Sequence, residues 1–291
     1  MPMRKCIGHK KGIYKKAGMA VLFLLVLLLG LVGYARFIEP ERLIVRTFDV
    51  DVKKAVSPCR IIFFTDTHFG KLYDVSHMED IVEKINQRQP DIVVFGGDLL
   101  DNYARDRDAM DVEYLIRELK KISSKSGKYA VWGNHDYGGG AVRIYEDLMT
   151  RGGFTLLRNE SIDIKEYGVH ITGYDDFLMG QRDTTLHKMN TDLFHLILSH
   201  EPIVSTLIEN TGENYMLSGH THGGQITVPF INSRFLPEGS GKFVKGFYKK
   251  EEIGTATFIQ MVTSSGIGLT KVPLRFMNVP EIIEINLNRT Q

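Results

Sequence analysis

Residues 60–98 read RIIFFTDTHFGKLYDVSHMEDIVEKINQRQPDIVVFGGD, and this stretch decides the architecture. Two short apolar runs rich in β-branched and aromatic residues, Arg60–Thr65 (RIIFFT) and Asp91–Phe95 (DIVVF), have the length and composition of buried strands. Between them Met78, Ile81, Val82 and Ile85 recur at helical spacing, which predicts an amphipathic helix over Ser76–Arg88. Strand, helix and strand in that order form a right-handed crossover with parallel strands.

Outward from this unit the alternation continues. Asp108–Ile122 reads as a second helix, Tyr129–Trp132 as a third strand, and Ala141–Arg151 as a helix stopped by Gly152-Gly153. After Phe154 the pattern turns to short strands: Ser161–Lys165, Val169–Gly173, Leu193–Ser199, Tyr215–Ser218, Thr257–Val262 and Ile282–Ile285. A second sheet packed on the first is the economical arrangement. Residues 39–58 read as a polar, extended lead-in ending at Pro58, and residues 39–291 as one domain without internal repeats.

The chemistry-bearing residues all stand where a strand hands over to a loop. They are Asp66-Thr67-His68, Gly97-Asp98 with Asp101, Gly133-Asn134-His135-Asp136, Ser199-His200, and Gly219-His220-Thr221-His222-Gly223-Gly224. Open α/β sheets collect functional groups at the carboxyl ends of their strands. Imidazoles and carboxylates without thiolates suit Mn, Fe, Zn or Ni better than Ca, and a carboxylate can bridge two ions. Two such ions clamp the attacking and leaving oxygens of a phosphate ester. Each fragment alone is weak; five in this order, each at a strand end, are specific.

The N-terminal region has a different character. Residues 1–38 carry seven basic residues and no acid, and Ala17–Ala35 is a nineteen-residue run without charge centred on VLFLLVLLLGLV. About 20 apolar residues match the thickness of a hydrocarbon core. The expected division is a basic cytoplasmic segment over 1–16, a transmembrane anchor over 17–38, and a body outside the cytoplasmic membrane, by the positive-inside rule. Gly33-Tyr34-Ala35 has the small-x-small form of a cleavage site, but the length of the apolar run favours an uncleaved anchor. The body holds 29 basic against 35 acidic residues, which disfavours nucleic acid as a partner. Cys6 and Cys59 flank the span, so the anchored chain has no pair to bridge.

The series DTH, GDLLD, GNHD, SH and GHTHGG resembles the calcineurin-like metallophosphoesterases over residues 60–287. GHTHGGQ with the tail GIGLTKVPLRFMNVPEI is similar to the membrane-associated bacterial branch of YkuE-like and YaeI-like proteins. The resemblance implies a four-layer α/β/β/α sandwich of two mixed sheets, the metallo-dependent phosphatase fold. It implies that Asp66, His68 and His222 hold one metal, that Asn134, His200 and His220 hold another, and that Asp98 bridges them. His135 would protonate the leaving oxygen, and Asp101 and Asp136 would orient ligands. Two divalent ions, Mn²⁺ foremost, would support hydrolysis of a phosphoester by metal-bound hydroxide.

Departures from sister groups refine this. Protein Ser/Thr phosphatases continue GDxxD with a phosphate-holding Arg-Gly and carry GNHE; here Asn102-Tyr103 follows and the motif is GNHD. Purple acid phosphatases place a Tyr ligand where this chain has Asp101. The lost Arg points to a phosphodiester or a larger phosphorylated ligand, although Arg143 or Arg182 could substitute for it. A lipid-linked phosphoester is among the substrates an anchored enzyme would meet. A hydrolase cutting UDP-2,3-diacylglucosamine at its pyrophosphate is the second reading, since that substrate is made on the cytoplasmic side. A non-catalytic metal-binding or scaffold module ranks third, because every ligand position is filled. Outside the motifs, His77, His170 and His187 read as surface or loop residues and His195 as a packed strand histidine. Phe230–Lys250 reads as a hairpin with aromatics on the core, or as a cap whose Phe243 and Phe247 rest on lipid.

Overall fold

The computed structural model describes residues 3–52, 57–181, 192–208, 214–227, 236–254 and 258–289. Helix α1 (Met3–Phe37) leads into strand β1 (Ile44–Val52) and strand β2 (Cys59–Phe64). Helix α2 (Met78–Gln87), β3 (Ile92–Phe95), helices α3 (Tyr103–Asp106) and α4 (Val112–Lys121), β4 (Lys128–Ala130), helices α5 (Asn134–Tyr137) and α6 (Tyr145–Arg151) and β5 (Thr155–Leu156) complete the first half. The second half runs β6 (Glu160–Ile164), β7 (Val169–Gly173), β8 (Phe194–Leu198), β9 (Asn214–Ser218), β10 (Gly246–Lys249), helix α7 (Lys250–Ile253), β11 (Phe258–Thr263) and β12 (Glu281–Arg289).

Two mixed six-stranded sheets result, ordered β1-β12-β2-β3-β4-β5 and β10-β11-β9-β8-β7-β6. β2 to β5 are mutually parallel, as are β7, β8, β9 and β11. Strand periodicity distributes the core into layers. Ile61 and Phe63 of β2 face the second sheet, packing with residues such as Val169, Leu196 and Leu217, while Ile62 and Phe64 face the helices. Helix α2 buries Met78, Ile81, Val82 and Ile85, the four residues whose spacing predicts it. Helix α4 begins at Val112 rather than Asp108, because the Asp111 carboxylate accepts from Tyr114 N at 2.8 Å and caps it there. The second sheet's outer face covers Ile197, Met216 and Met261 with Phe243 and Ile253.

Two further expectations need correction, and one choice between two readings is decided. The lead-in over residues 39–58 contains β1, a nine-residue edge strand pairing in parallel with β12 from Ile44↔Glu281 to Val52↔Arg289. Phe48, Val50 and Val52 turn inward while Thr47, Asp49 and Asp51 stay exposed. His170 is buried on β7, where its Nδ1 lies 2.5 Å from Oδ1 of its cross-strand partner Asp163. Phe243 is fully buried against Tyr248, and Phe247 stacks on Phe48 at 5.6 Å, so these two aromatics face protein rather than lipid. His195 is packed as expected, with Thr172 Oγ1 2.7 Å from Nε2 and Asn214 Oδ1 2.8 Å from Nδ1. His187, Arg182, Phe230 and Phe235 lie outside the described residues.

Helix α1 is long and apolar enough to cross a membrane, with a mean hydropathy of 2.5 in its most apolar window. Leu22, Phe23, Leu24 and Leu29 on it are all more than half exposed.

Candidate metal centre

The carboxyl ends of β2, β3, β4, β8 and β9 meet at one edge of the sandwich. Backbone bonds splice the loops that leave them: Asp66 N donates to Gly97 O at 3.0 Å, His68 N to Asp98 O at 3.1 Å, and Gly219 N to His200 O at 3.0 Å. Side chains tie the two sheets. His200 Nδ1 lies 2.8 Å from Gly96 O, and His220 N donates to Asp66 Oδ1 at 3.0 Å. Such close approach needs glycine: a Cβ on Gly133 would lie 2.3 Å from Asp98 Oδ1, and one on Gly219 would lie 2.2 Å from Asp66 Oδ2.

A second feature is invisible in the sequence. Asp66, His68, Asp98, His220 and His222 all hold positive φ, between 43° and 70°. Non-glycine residues adopt this region rarely and at a cost, and they cluster where geometry is over-determined by function.

Asp66, His68, Asp98, His200, His220 and His222 are all buried. Asp98 Oδ2 lies 3.3 Å from His68 Nε2 and 3.1 Å from His200 Nε2, so one carboxylate oxygen is shared by two histidines from different sheets. His68 Nε2 and His222 Nε2 face each other at 2.9 Å, and Asp66 Oδ1 is 3.5 Å from the latter. Donors about 2.1 Å from one cation lie about 3.4 Å apart in a tetrahedron, the range these pairs span. The donors separate into Asp66 with His68 and His222, and Asp98 with His200 and His220; His68 also groups with Asp101 and His135.

Two atoms test whether cations fit. Asn134 Oδ1 is buried without a hydrogen bond, and His200 Nε2 meets Asp98 Oδ2 at 3.1 Å outside hydrogen-bond geometry, although each is a ready donor to a metal. Ring orientation agrees: His200 turns Nδ1 to the Gly96 carbonyl, and His220 turns Nε2 to Glu238 O at 2.5 Å, leaving the other nitrogen of each toward the site. These His/Asp groups point to a binuclear divalent metal site.

Electrostatics match. Burial opposes ionisation of Asp66 and Asp98, but the adjacent imidazoles outweigh it and hold both carboxyls well below the usual range. Burial pushes His220 down to about 4, with His200 adding to the shift. Burial likewise holds His222 low. Burial also opposes protonation of His68 and His200, yet Asp101 acting on the first and Asp98 on the second raise them well above the ordinary value. A divalent ion held by these donors would offset the buried carboxylates in the same way.

Around this centre the remaining candidates fall into place. His135 N donates to Asp98 Oδ1 at 2.8 Å, and its Nδ1 lies 2.7 Å from the Asp101 carbonyl. Asp101 Oδ1 stands 3.3 Å behind His68 Nδ1, while Arg105 NH2 donates to Oδ2 at 2.7 Å and Thr270 Oγ1 to Oδ1 at 3.0 Å. Asp136 accepts from three backbone amides, Asp98 N at 2.7 Å, Gly133 N at 2.9 Å and Leu99 N at 3.0 Å. Arg105 has no motif to announce it, while Gln225, Thr270 and Asn278 lie in the GHTHGGQ and GIGLTKVPLRFMNVPEI segments without a role read from them. Thr270 N donates to Gln225 Oε1 at 3.0 Å, and the Asn278 amide donates to His222 O. Arg143 is exposed on a turn and does not line the pocket; among the described residues Lys271 is the cation at its wall.

The pocket over the donors has a volume of about 580 Å³, within the range of small-molecule sites. Its floor includes His68, Asp98, Asn134 and His135, and its walls include Ile226, Pro237 and Val272.

Residues 59–224 match the model of the calcineurin-like phosphoesterase family. The chain is 32% identical over 268 residues to the metallophosphoesterase YkuE of Bacillus subtilis, covering 89% of this chain and 90% of that protein. It is 30% identical to a metallophosphoesterase of Campylobacter jejuni, covering 84% of this chain but 63% of the relative. Among solved structures, a dimetal phosphatase from Danio rerio aligns with a TM-score of 0.44 at 12% identity, over 75% of this chain and 90% of that one. The matched span contains all the buried donors gathered at the sheet edge, and with the relative aligned almost end to end the chain belongs to the calcineurin-like phosphoesterase family.

Proposed function

We propose that this protein is a membrane-anchored, two-metal phosphodiesterase. The observation that carries the two-metal reading is the shared Asp98 Oδ2 between His68 and His200, with the buried Asn134 Oδ1 lacking a hydrogen bond at the same site. In this reading Asp66, His68 and His222 hold one cation, Asn134, His200 and His220 hold the second, and Asp98 bridges. Mn²⁺ suits this oxygen and nitrogen set, as do Fe, Zn and Ni. Bound cations supply a polarised phosphoryl group and a nucleophile of lowered pKa.

The chain's own residues do the rest. His135 directs Nδ1 to the Asp101 carbonyl, which leaves Nε2 free to carry a proton to the departing alkoxide oxygen. Asp101, braced by Arg105 and Thr270, orients His68 through Nδ1. Lys271 faces the pocket as a counter-charge to the remaining phosphoryl oxygens. His135→Ala should lower kcat about 10²–10³-fold while metal content, read by elemental analysis, stays within a tenth of wild type. Loss of metal with the activity would give His135 a ligand's role instead.

Helix α1 supports the anchor reading, and the basic residues before it favour a body outside the cytoplasmic membrane of a bacterium. Residues 39–291 form the catalytic domain. The test is hydrolysis of nitrophenyl phosphate diester and monoester by metal-stripped protein with and without Mn²⁺. Restored turnover with the diester ahead is expected. Equal or better turnover of the monoester would remove the phosphodiesterase part, and no restoration by Mn²⁺, Fe²⁺, Zn²⁺ or Ni²⁺ would remove the hydrolase.

A further inference from the structure

The apolar helix ends on the wall of the metal site. In the last turn of α1 the Ala35 carbonyl accepts from Arg275 N at 2.9 Å. Just after the helix, the buried Glu39 carboxylate accepts from Asn278 N, and the side chain of Asn278 donates to His222 O. Two hydrogen bonds through one residue therefore join the chain emerging from the helix to a candidate ligand. Arg275, fully buried, locks the same loop by donating to the carbonyls of Gly268, Ser265 and Asn278.

This junction sets the height of the pocket. Residues 17–38 form about 22 apolar-stretch positions, about 33 Å of helix, against a hydrocarbon core of about 30 Å. Arg36 and the half-exposed Ile38 then stand at the boundary, with exposed Phe37 in the position of an interfacial aromatic. The amide of Arg275 is bonded to the helix at that same level, which in an anchored chain would set residues 272–277 at headgroup height. Val272 and Met277 of this loop are 41% and 56% exposed, and Ile226, which bridges to Phe276, is 37% exposed. Val272 and Ile226 also line the pocket over the metal donors, with Lys271 next to them. An apolar lip with one lysine, held at headgroup height beside a phosphoester site, is a poor shape for a water-borne substrate. It matches an amphiphile whose head is an anionic phosphoester and whose tail stays in the bilayer.

Resting on the hydrolase reading, we propose that the pocket opens onto the membrane surface through a lip of Ile226, Val272 and Met277, and that its substrate is a membrane-resident lipid phosphoester. The phosphoester head enters the metal cleft past Lys271 while the hydrocarbon remains against the lip. The membrane contact thus belongs to the 270–277 loop and not to Phe243 or Phe247.

The test uses the full chain with Mn²⁺ in lipid nanodiscs and two phosphodiesters that differ only in their tail, methyl and hexadecyl nitrophenyl phosphate. Wild type should turn over the hexadecyl ester at least tenfold faster at equal concentration. Met277→Asp, outside the pocket lining and at a φ of 53° that aspartate tolerates, should erase that preference and leave the methyl ester within twofold. Hydrolysis of the methyl ester without preference for the hexadecyl one, or equal losses on both in the variant, would overturn the lipid substrate and leave the hydrolase standing. Failure on both esters in wild type would remove the hydrolase reading and this substrate with it. Membrane contact is read separately, by a bimane fluorophore on Met277→Cys in a Cys6→Ser background. Quenching by lipids brominated near the headgroup supports the lip; no quenching overturns it.

Discussion

Asp98→Asn should reduce phosphoester turnover by a factor on the order of 10³ while the far-UV circular dichroism of the protein stays unchanged. The substitution keeps volume and planarity, and the amide oxygen can still accept from His135 N in place of Oδ1. What changes is the second oxygen, the atom within 3.3 Å of both His68 Nε2 and His200 Nε2. There an NH₂ group points two donors at the place where cations need a lone pair. Metal content should fall from about two to about one per chain, since the remaining donors of each group are untouched. Retention of more than about a tenth of the turnover would sink the bridging role assigned to Asp98.

Asp136→Ala should act on stability rather than chemistry. Its carboxylate gathers the amides of Asp98, Leu99 and Gly133, pinning the loop after β3 to the loop after β4. The alanine leaves three donors in a fully buried place with no oxygen to receive them. One orphaned buried amide costs about 1–3 kcal/mol, and three neighbours relax together, so a loss of about 3–5 kcal/mol is expected. For a body of this size the melting temperature should drop by about 10 °C, followed by near-ultraviolet circular dichroism in detergent. A drop below about 2 °C would show that water or a rearranged loop replaces the carboxylate.

The strand-end motifs were legible because a polar residue directly after a continuous apolar run has few structural reasons to be there. The residues bracing them were not. Thr270 and Gln225 stand in the GIGLTKVPLRFMNVPEI and GHTHGGQ segments, but their bracing roles depend on how the loop after β11 folds back over the first sheet's edge, and Arg105 on α3 has no motif at all. β1 escaped notice for a related reason: its partner lies more than 230 residues away, and an edge strand alternating exposed Asp49 and Asp51 with Val50 and Val52 looks locally like a polar linker. The burial of His170 depends on its charge partner Asp163 across the strand pair, a register that local sequence does not show. The positive φ of five candidate ligands has no sequence signature at all, since none of them is glycine.

The placement of β12 between β1 and β2 has a consequence for biogenesis. β1 is translated early and lies only seven residues after α1, so once the helix is in a bilayer this strand waits at the surface, unpaired. Its partner emerges only when synthesis has reached Glu281–Arg289, and until then the neighbouring edge of β2 is bare as well. The nascent chain thus carries two open strand edges through most of its translation, a state prone to mispairing with other chains. Chains ending before residue 281 would keep both edges open for good, and quality-control proteases rather than loss of any catalytic group would set their fate.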